Sequence, residues 1–171
     1  TITAANASFL TDGAACVLIM SEDKAKELGL KPKSYIHSYT FVGCDLKEEL
    51  LLGPTYAVSK LLKQTNMSLS DFDVIEFHEA FAGQILANLK CLASDEFARE
   101  KLGRDKAVGV VPMDKFNLWG GSLSLGHPFG ATGARLVTTA SNRLHKENGK
   151  YALIAACAAG AHGHAMILEK A

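Results

Sequence analysis

Three positions in this chain join a chemically competent side chain to small or conformationally special neighbours. They are His78 in Phe77-His78-Glu79-Ala80-Phe81-Ala82, His127 in Gly126-His127-Pro128-Phe129-Gly130, and Cys157 in Cys157-Ala158-Ala159-Gly160-Ala161-His162-Gly163-His164. An imidazole titrates near neutrality, so it can move a proton in either direction or donate a hydrogen bond to developing negative charge. A thiol serves as nucleophile or proton carrier where an imidazole or backbone dipoles stabilise its thiolate. Together these residues suit acid–base and covalent thiol chemistry. Each also has a plainer explanation: a capping histidine at His78, a structural turn histidine at His127 and a buried structural thiol at Cys157.

Other chemistries fit these blocks less well. A zinc-protease HExxH pattern needs a second histidine one turn after His78, and Ala82 stands there. Cys157, His162 and His164 lack a fourth ligand and the usual metal-site spacing, so no metal is expected. The glycines from Gly120 to Gly133 are not followed by Lys-Ser or Lys-Thr, and no GxGxxG triplet directly follows a predicted strand. A nucleotide cradle is therefore not expected.

The elements that must position these residues alternate between strand and helix patterns, which predicts an α/β layered fold with parallel strands. The apolar run from Ala14 to Met20 reads as a buried strand. Ser21 caps a short acidic-fronted helix to Leu28, stopped by Gly29 and Pro32. Tyr35 to Cys44 is β-branched and aromatic enough for a strand. Gly53-Pro54 opens a helix to about Gln64, with Ala57, Val58, Leu61 and Leu62 at helical spacing. Val74 to Phe77 predicts a short strand, and the apolar periodicity predicts a helix starting at His78. A surface helix and loop follow over Ser94 to Lys106, then a helix from Thr132 to Lys146. Tyr151 to Ala156 and Ala165 to Leu168 read as strands joined by the loop that carries Cys157. All three chemical positions thus fall where a strand ends or a helix begins, the edge at which open α/β sheets bind ligands.

Composition sets the outer limits. The 171 residues suffice for one domain with a real core, and 48% apolar against 21% charged residues excludes a disordered chain. Lys+Arg and Asp+Glu both number 18, so no net positive charge favours nucleic acid. No apolar run reaches the ~20 residues of a bilayer-spanning helix. The four cysteines, Cys16, Cys44, Cys91 and Cys157, form no CxxC pair, and reduced thiols in an intracellular compartment are expected.

Taken jointly, the Asn6 to Met20 segment, Gly53-Pro54, His78-Glu79-Ala80-Phe81-Ala82, the Gly126 to Arg135 block and the final cysteine loop resemble the carboxyl-terminal half of a thiolase. Thiolases cleave 3-ketoacyl-CoA with coenzyme A or run the reverse condensation. His78, where much of the family has asparagine, is similar to the degradative β-oxidation branch. The resemblance implies an α/β thiolase-like layered fold, a mixed sheet with helices on both faces, of which this chain is the carboxyl-terminal half. Residues 1–28 would be the closing strand and helix of the amino-terminal domain, and 29–171 the carboxyl-terminal domain.

The resemblance also implies a role for each matching residue. His127 activates the attacking cysteine and contributes to the oxyanion hole for the thioester carbonyl. Cys157 moves a proton on or off the α-carbon. His78 binds the same oxyanion, directly or through water. Ala159 replaces a family glycine whose backbone N–H stabilises the tetrahedral intermediate, the usual CxGGG having become CAAGA. The attacking cysteine belongs to the other half, since Cys16, Cys44 and Cys91 lack its context, so the chain alone is expected to be inactive. The resemblance further implies acyl-CoA and CoA as ligands with no separate cofactor, CoA being a substrate. It also implies a homodimer that joins a hydratase/dehydrogenase alpha subunit, and a place in the mitochondrial matrix or at its inner membrane. The competing readings are a non-catalytic acyl-CoA binding or assembly module and a biosynthetic acetoacetyl-CoA thiolase.

Overall fold

The alternating pattern folds into a four-stranded mixed sheet with helices against both faces; a computed structural model describes residues 2–171. In chain order the elements are α1 (Glu22–Glu27), β1 (Ser34–Gly43), α2 (Gly53–Thr65), β2 (Val74–Phe77), α3 (Ala82–Leu92), α4 (Asp95–Lys101), α5 (Ser122–Leu125), α6 (Thr132–Lys146), β3 (Tyr151–Ala158) and β4 (His162–Lys170). The strands lie in the order β1-β4-β3-β2. β3 and β4 form an antiparallel hairpin around Ala159, Gly160 and Ala161, with positive φ at Gly160 (86°) and Ala161 (57°). β2 runs parallel to β3, Phe77 opposite Ala155. A parallel pair requires a long crossover, and the segment carrying α3 to α6 supplies it.

Period-two alternation in β2 and β3 divides the core between two faces. Ile75, Phe77, Leu153 and Ala155 meet Val58, Leu61 and Leu62 of α2 and Leu92 of α3 on one face. Val74, Ala152 and Ile154 meet Leu136, Ala140 and Leu144 of α6 on the other. Each fully buried leucine or phenylalanine contributes about 2 kcal/mol of transfer free energy. α2 begins with Gly53 seated on the backbone of Gly163 in β4, and a Cβ on either glycine would run into the other's main chain. Gly163 is the ladder partner of Cys157, so this contact anchors the hairpin arm that bears the thiol.

The α6 face contains a buried ion pair. Arg143 Nη1 lies 2.7 Å from Glu76 Oε1, and neither side chain has any exposed surface. Arg143 also donates to Lys115 O at 3.1 Å and to both carboxylate oxygens of Glu147 at 2.8 and 3.0 Å. α6 is thereby tied to β2 and to the chain that runs beside it.

Three expectations are corrected. Ala14 to Met20 is not a buried strand: it has no ladder partner among the described residues, and Leu18 and Ile19 are 78% and 68% exposed. Apolar sequence alone cannot make a strand without a neighbouring edge to pair with. The helix expected from His78 starts at Ala82, because Phe81 is its N-cap with extended backbone, φ −147° and ψ 145°. β3 extends to Ala158, so Cys157 is inside the strand, in its last two residues, rather than in the loop beyond it.

Candidate active site

β2 ends at Phe77, and Asn117 sets the course of the chain beyond it. Phe77 N–H donates to Asn117 Oδ1 at 2.8 Å, Asn117 Nδ2 donates back to Phe77 O at 3.0 Å, and Asn117 N–H donates to Ile75 O at 2.9 Å. Buried Asn117, held at a positive φ of 47°, thus extends along the free edge of β2 the pairing that begins where Ile75 N–H donates to Lys115 O at 3.1 Å. Its second amide proton goes to Glu79 Oε1 at 2.6 Å. The other oxygen of Glu79 accepts from Leu123 N–H at 3.1 Å, joining the turn after β2 to the first turn of α5.

His78 sits in that turn, 3% exposed. Its N–H donates to Ala155 O of β3 at 2.8 Å, and its Nδ1 lies 3.0 Å from Ser122 Oγ. His127 arrives from the other side. Its N–H donates to Phe9 O at 2.9 Å, and its Nδ1 lies 2.7 Å from Thr132 Oγ1 at the start of α6. Gly126 takes φ 99° and packs so closely on Thr11 that any side chain there would collide with it. The amino-terminal segment also reaches the His78 turn, where Ser8 N–H donates to Ala80 O at 2.9 Å. One extended segment therefore spans both histidine-bearing turns.

The result is direct contact of the two imidazoles, ring centroids 4.2 Å apart and planes inclined by 38°. Burial lowers the His78 pKa to about 4, helped by the His127 and Arg135 charges. Burial and Arg135 also lower His127. Both rings are accordingly neutral near pH 7, which suits hydrogen-bond donation and proton acceptance.

Cys157 is buried on β3, the strand beside β2. Phe77 pairs with Ala155, so the main chain at His78 leaves the sheet beside Ala156, one residue before Cys157, adjacent strands being about 4.8 Å apart. Burial pushes the Cys157 thiol up to about 11, keeping its proton on sulfur. Among the described residues no hydrogen bond joins this thiol to either imidazole. Cys44 and Cys91 are raised by burial and by Glu49, which disfavours the thiolate of either. Ala159 is exposed in the hairpin turn. Cys157, His162 and His164 do not converge: the ladder sets Cys157 opposite Gly163, and the two histidines opposite Ala158 and Ala156, so alternation points them to the other face.

Residue type and spacing assign no role to Asn117, Ser122, Thr132 or Arg135. Their positions flanking or within the glycine-rich block are visible in the sequence, but not the contacts that long-range folding gives them.

Neutral His78 couples stability to pH. Its pKa falls on folding from 6.5 to about 4, so the native state binds fewer protons than the unfolded chain across that window. The stabilisation is complete above pH 6.5 and lost as pH falls towards 4, up to about 3 kcal/mol at about 1.4 kcal/mol per tenfold. Denaturant unfolding of the full-length protein between about pH 7 and pH 4 is expected to show this decline, and His78→Asn to flatten it. An unchanged slope in the variant would contradict the assignment.

The chain is similar to known proteins in sequence and in fold. The thiolase carboxyl-terminal domain matches residues 30–170. The chain is 62% identical over 169 residues to the mitochondrial trifunctional enzyme subunit beta of Bos taurus, covering 99% of this chain and 36% of that protein. It is 55% identical over 168 residues to a 3-ketoacyl-CoA thiolase of Alteromonas mediterranea, covering 98% and 38%. Human mitochondrial 3-ketoacyl-CoA thiolase in complex with CoA has the same fold, with TM-score 0.81 and 34% identity over 99% of this chain and 39% of that one. The chain spans little more than a third of the length of the relatives it matches.

Proposed function

This chain belongs to the thiolase family as its carboxyl-terminal domain, and we propose that the full-length protein carrying it is a degradative 3-ketoacyl-CoA thiolase of fatty-acid β-oxidation. The observation that carries this reading is the contact of two imidazoles at the sheet edge where Cys157 also emerges. The names of the Bos taurus and Alteromonas relatives support it.

In this reading a thiolate from outside this chain attacks the 3-keto carbon. His127, neutral, takes the proton of that thiol. The C2–C3 bond then breaks, leaving the shortened acyl group on the attacking sulfur and an enolate on the departing acetyl-CoA. N–H donors from His127 and His78 hold the enolate oxygen, and Cys157 gives its proton to C2. The thiol's raised pKa suits this role, because it stays protonated until a carbon base forms. CoA thiol then gives its proton to the Cys157 thiolate and attacks the acyl-enzyme, and His127 returns its proton to the attacking cysteine as that sulfur leaves. Ala159, exposed in the hairpin turn, offers its N–H to the tetrahedral intermediate.

The same reading assigns residues 29–171 to the carboxyl-terminal domain and 1–28 to the closing part of the amino-terminal one. It takes acyl-CoA and CoA as substrates, without another cofactor. It places the protein in mitochondria, as a homodimer associated with a hydratase/dehydrogenase alpha subunit.

The test is thiolysis of long-chain and four-carbon 3-ketoacyl-CoA by the full-length protein and by the 171-residue chain. Turnover by the full-length protein with preference for long chains is expected, and none by the short chain. A preference for the four-carbon substrate would favour the biosynthetic alternative. Turnover by the short chain would show that the attacking thiol is among Cys16, Cys44 and Cys91.

A further inference from the structure

We infer that Ser122 and Arg135 are positioning residues that fix His78 as the tautomer protonated on Nε2, so that its remaining N–H faces the reaction. The kinetic consequence rests on the thiolase reading; the tautomer does not.

Donor and acceptor capacities set the direction of each proton. A guanidinium only donates, and Arg135 Nη2 lies 3.2 Å from Ser122 Oγ. The hydroxyl oxygen is therefore an acceptor towards Arg135. Ser122 has no exposed surface, and its Oγ has one other partner among the described residues, His78 Nδ1 at 3.0 Å. If Nδ1 carried the proton, it too would donate to Oγ, and the serine's own proton would be buried with no acceptor. That arrangement would leave a buried donor unsatisfied, a costly state. If the hydroxyl donates to Nδ1, all three groups are satisfied at once. The direction therefore runs from Arg135 to Ser122 to Nδ1, and the ring proton sits on Nε2.

Two observations reinforce this order. Arg135 Nε and Nη1 are buried without a hydrogen-bond partner, so Ser122 is the one side chain among the described residues that hydrogen-bonds to the guanidinium. The Arg135 charge also opposes protonation of both imidazoles, keeping Nδ1 available as an acceptor. The backbone bond from His78 to Ala155 and the contact with His127 leave Nε2 without a hydrogen-bond partner among the described residues, ready for a substrate oxygen or a water bound to it.

Neutron diffraction from crystals of the full-length protein tests the tautomer without relying on activity. A deuteron on His78 Nε2, with the Ser122 hydroxyl aimed at Nδ1, is expected. A deuteron on Nδ1 would overturn the inference. In thiolysis assays Ser122→Ala should lower kcat about 10- to 100-fold, because the unpinned ring divides between tautomers, with KM held within about twofold. Ser122→Thr, which keeps the hydroxyl, should recover most of the rate. An unchanged kcat for Ser122→Ala in an active enzyme would also overturn it. If the full-length protein does not turn over at all, the functional proposal fails and the position of the deuteron still decides this one.

Discussion

His127→Ala in the full-length protein is expected to lower kcat for 3-ketoacyl-CoA thiolysis by about 10³- to 10⁴-fold, with the fold intact. The magnitude reflects the loss of the two functions proposed for this side chain: a general base, worth about 10²- to 10⁴-fold, and one oxyanion donor, worth about 10²- to 10³-fold, which overlap rather than multiply. The fold should survive because main-chain contacts largely hold this turn. The His127 N–H still reaches Phe9 O, and Gly126 still packs on Thr11. Cys157→Ser should act on the proton transfer instead, lowering kcat about 10²- to 10³-fold because a hydroxyl is a far weaker acid than a thiol. Steady-state kinetics with circular dichroism on the same samples would check both. A variant of either residue within about threefold of the parent rate would remove it from the chemistry and favour a binding or assembly role for this domain.

Arg143→Ala is expected to destabilise the full-length protein by about 3–5 kcal/mol, read from urea or guanidinium unfolding. The side chain left behind is the reason. Glu76 has no exposed surface, its Oε2 already lacks a partner, and burial pushes its pKa up even with the guanidinium in place. Removing Arg143 strands that carboxyl in the α6 face of the core, and also takes one of its two donors from the Lys115 carbonyl, which still accepts from Ile75 N–H. Replacing both partners, Glu76→Met with Arg143→Met, should recover most of the loss, since an apolar pair leaves no uncompensated charge. A loss below about 1 kcal/mol for Arg143→Ala would mean that the pair contributes little beyond packing.

Local signals made much of the layout legible. The Ser21 cap gives α1 its start, with Ser21 Oγ accepting from Lys24 N–H; Pro54 sits in the first turn of α2; and the apolar spacing of Ala57, Val58, Leu61 and Leu62 marks the face that α2 buries. These signals act over one or two turns, so neighbouring residues carry them. The Ala14 to Met20 run shows where such reading stops. Its composition is that of a core strand, yet a strand exists only where another edge accepts its hydrogen bonds, and no edge of the described sheet does so.

The candidate site divides in the same way. Residue type and small-residue context singled out His78, His127 and Cys157, because imidazoles and thiols are the groups able to perform this chemistry. The tertiary structure alone decided that the two imidazoles touch, that Asn117 completes the edge of β2, that Glu79 joins the His78 turn to α5, and that Ser122 stands between Arg135 and His78. Chemical competence belongs to a side chain and travels with its letter in the sequence. The direction of a proton and the neutrality of a ring depend on burial and on partners that lie far along the chain, and only the folded arrangement supplies them.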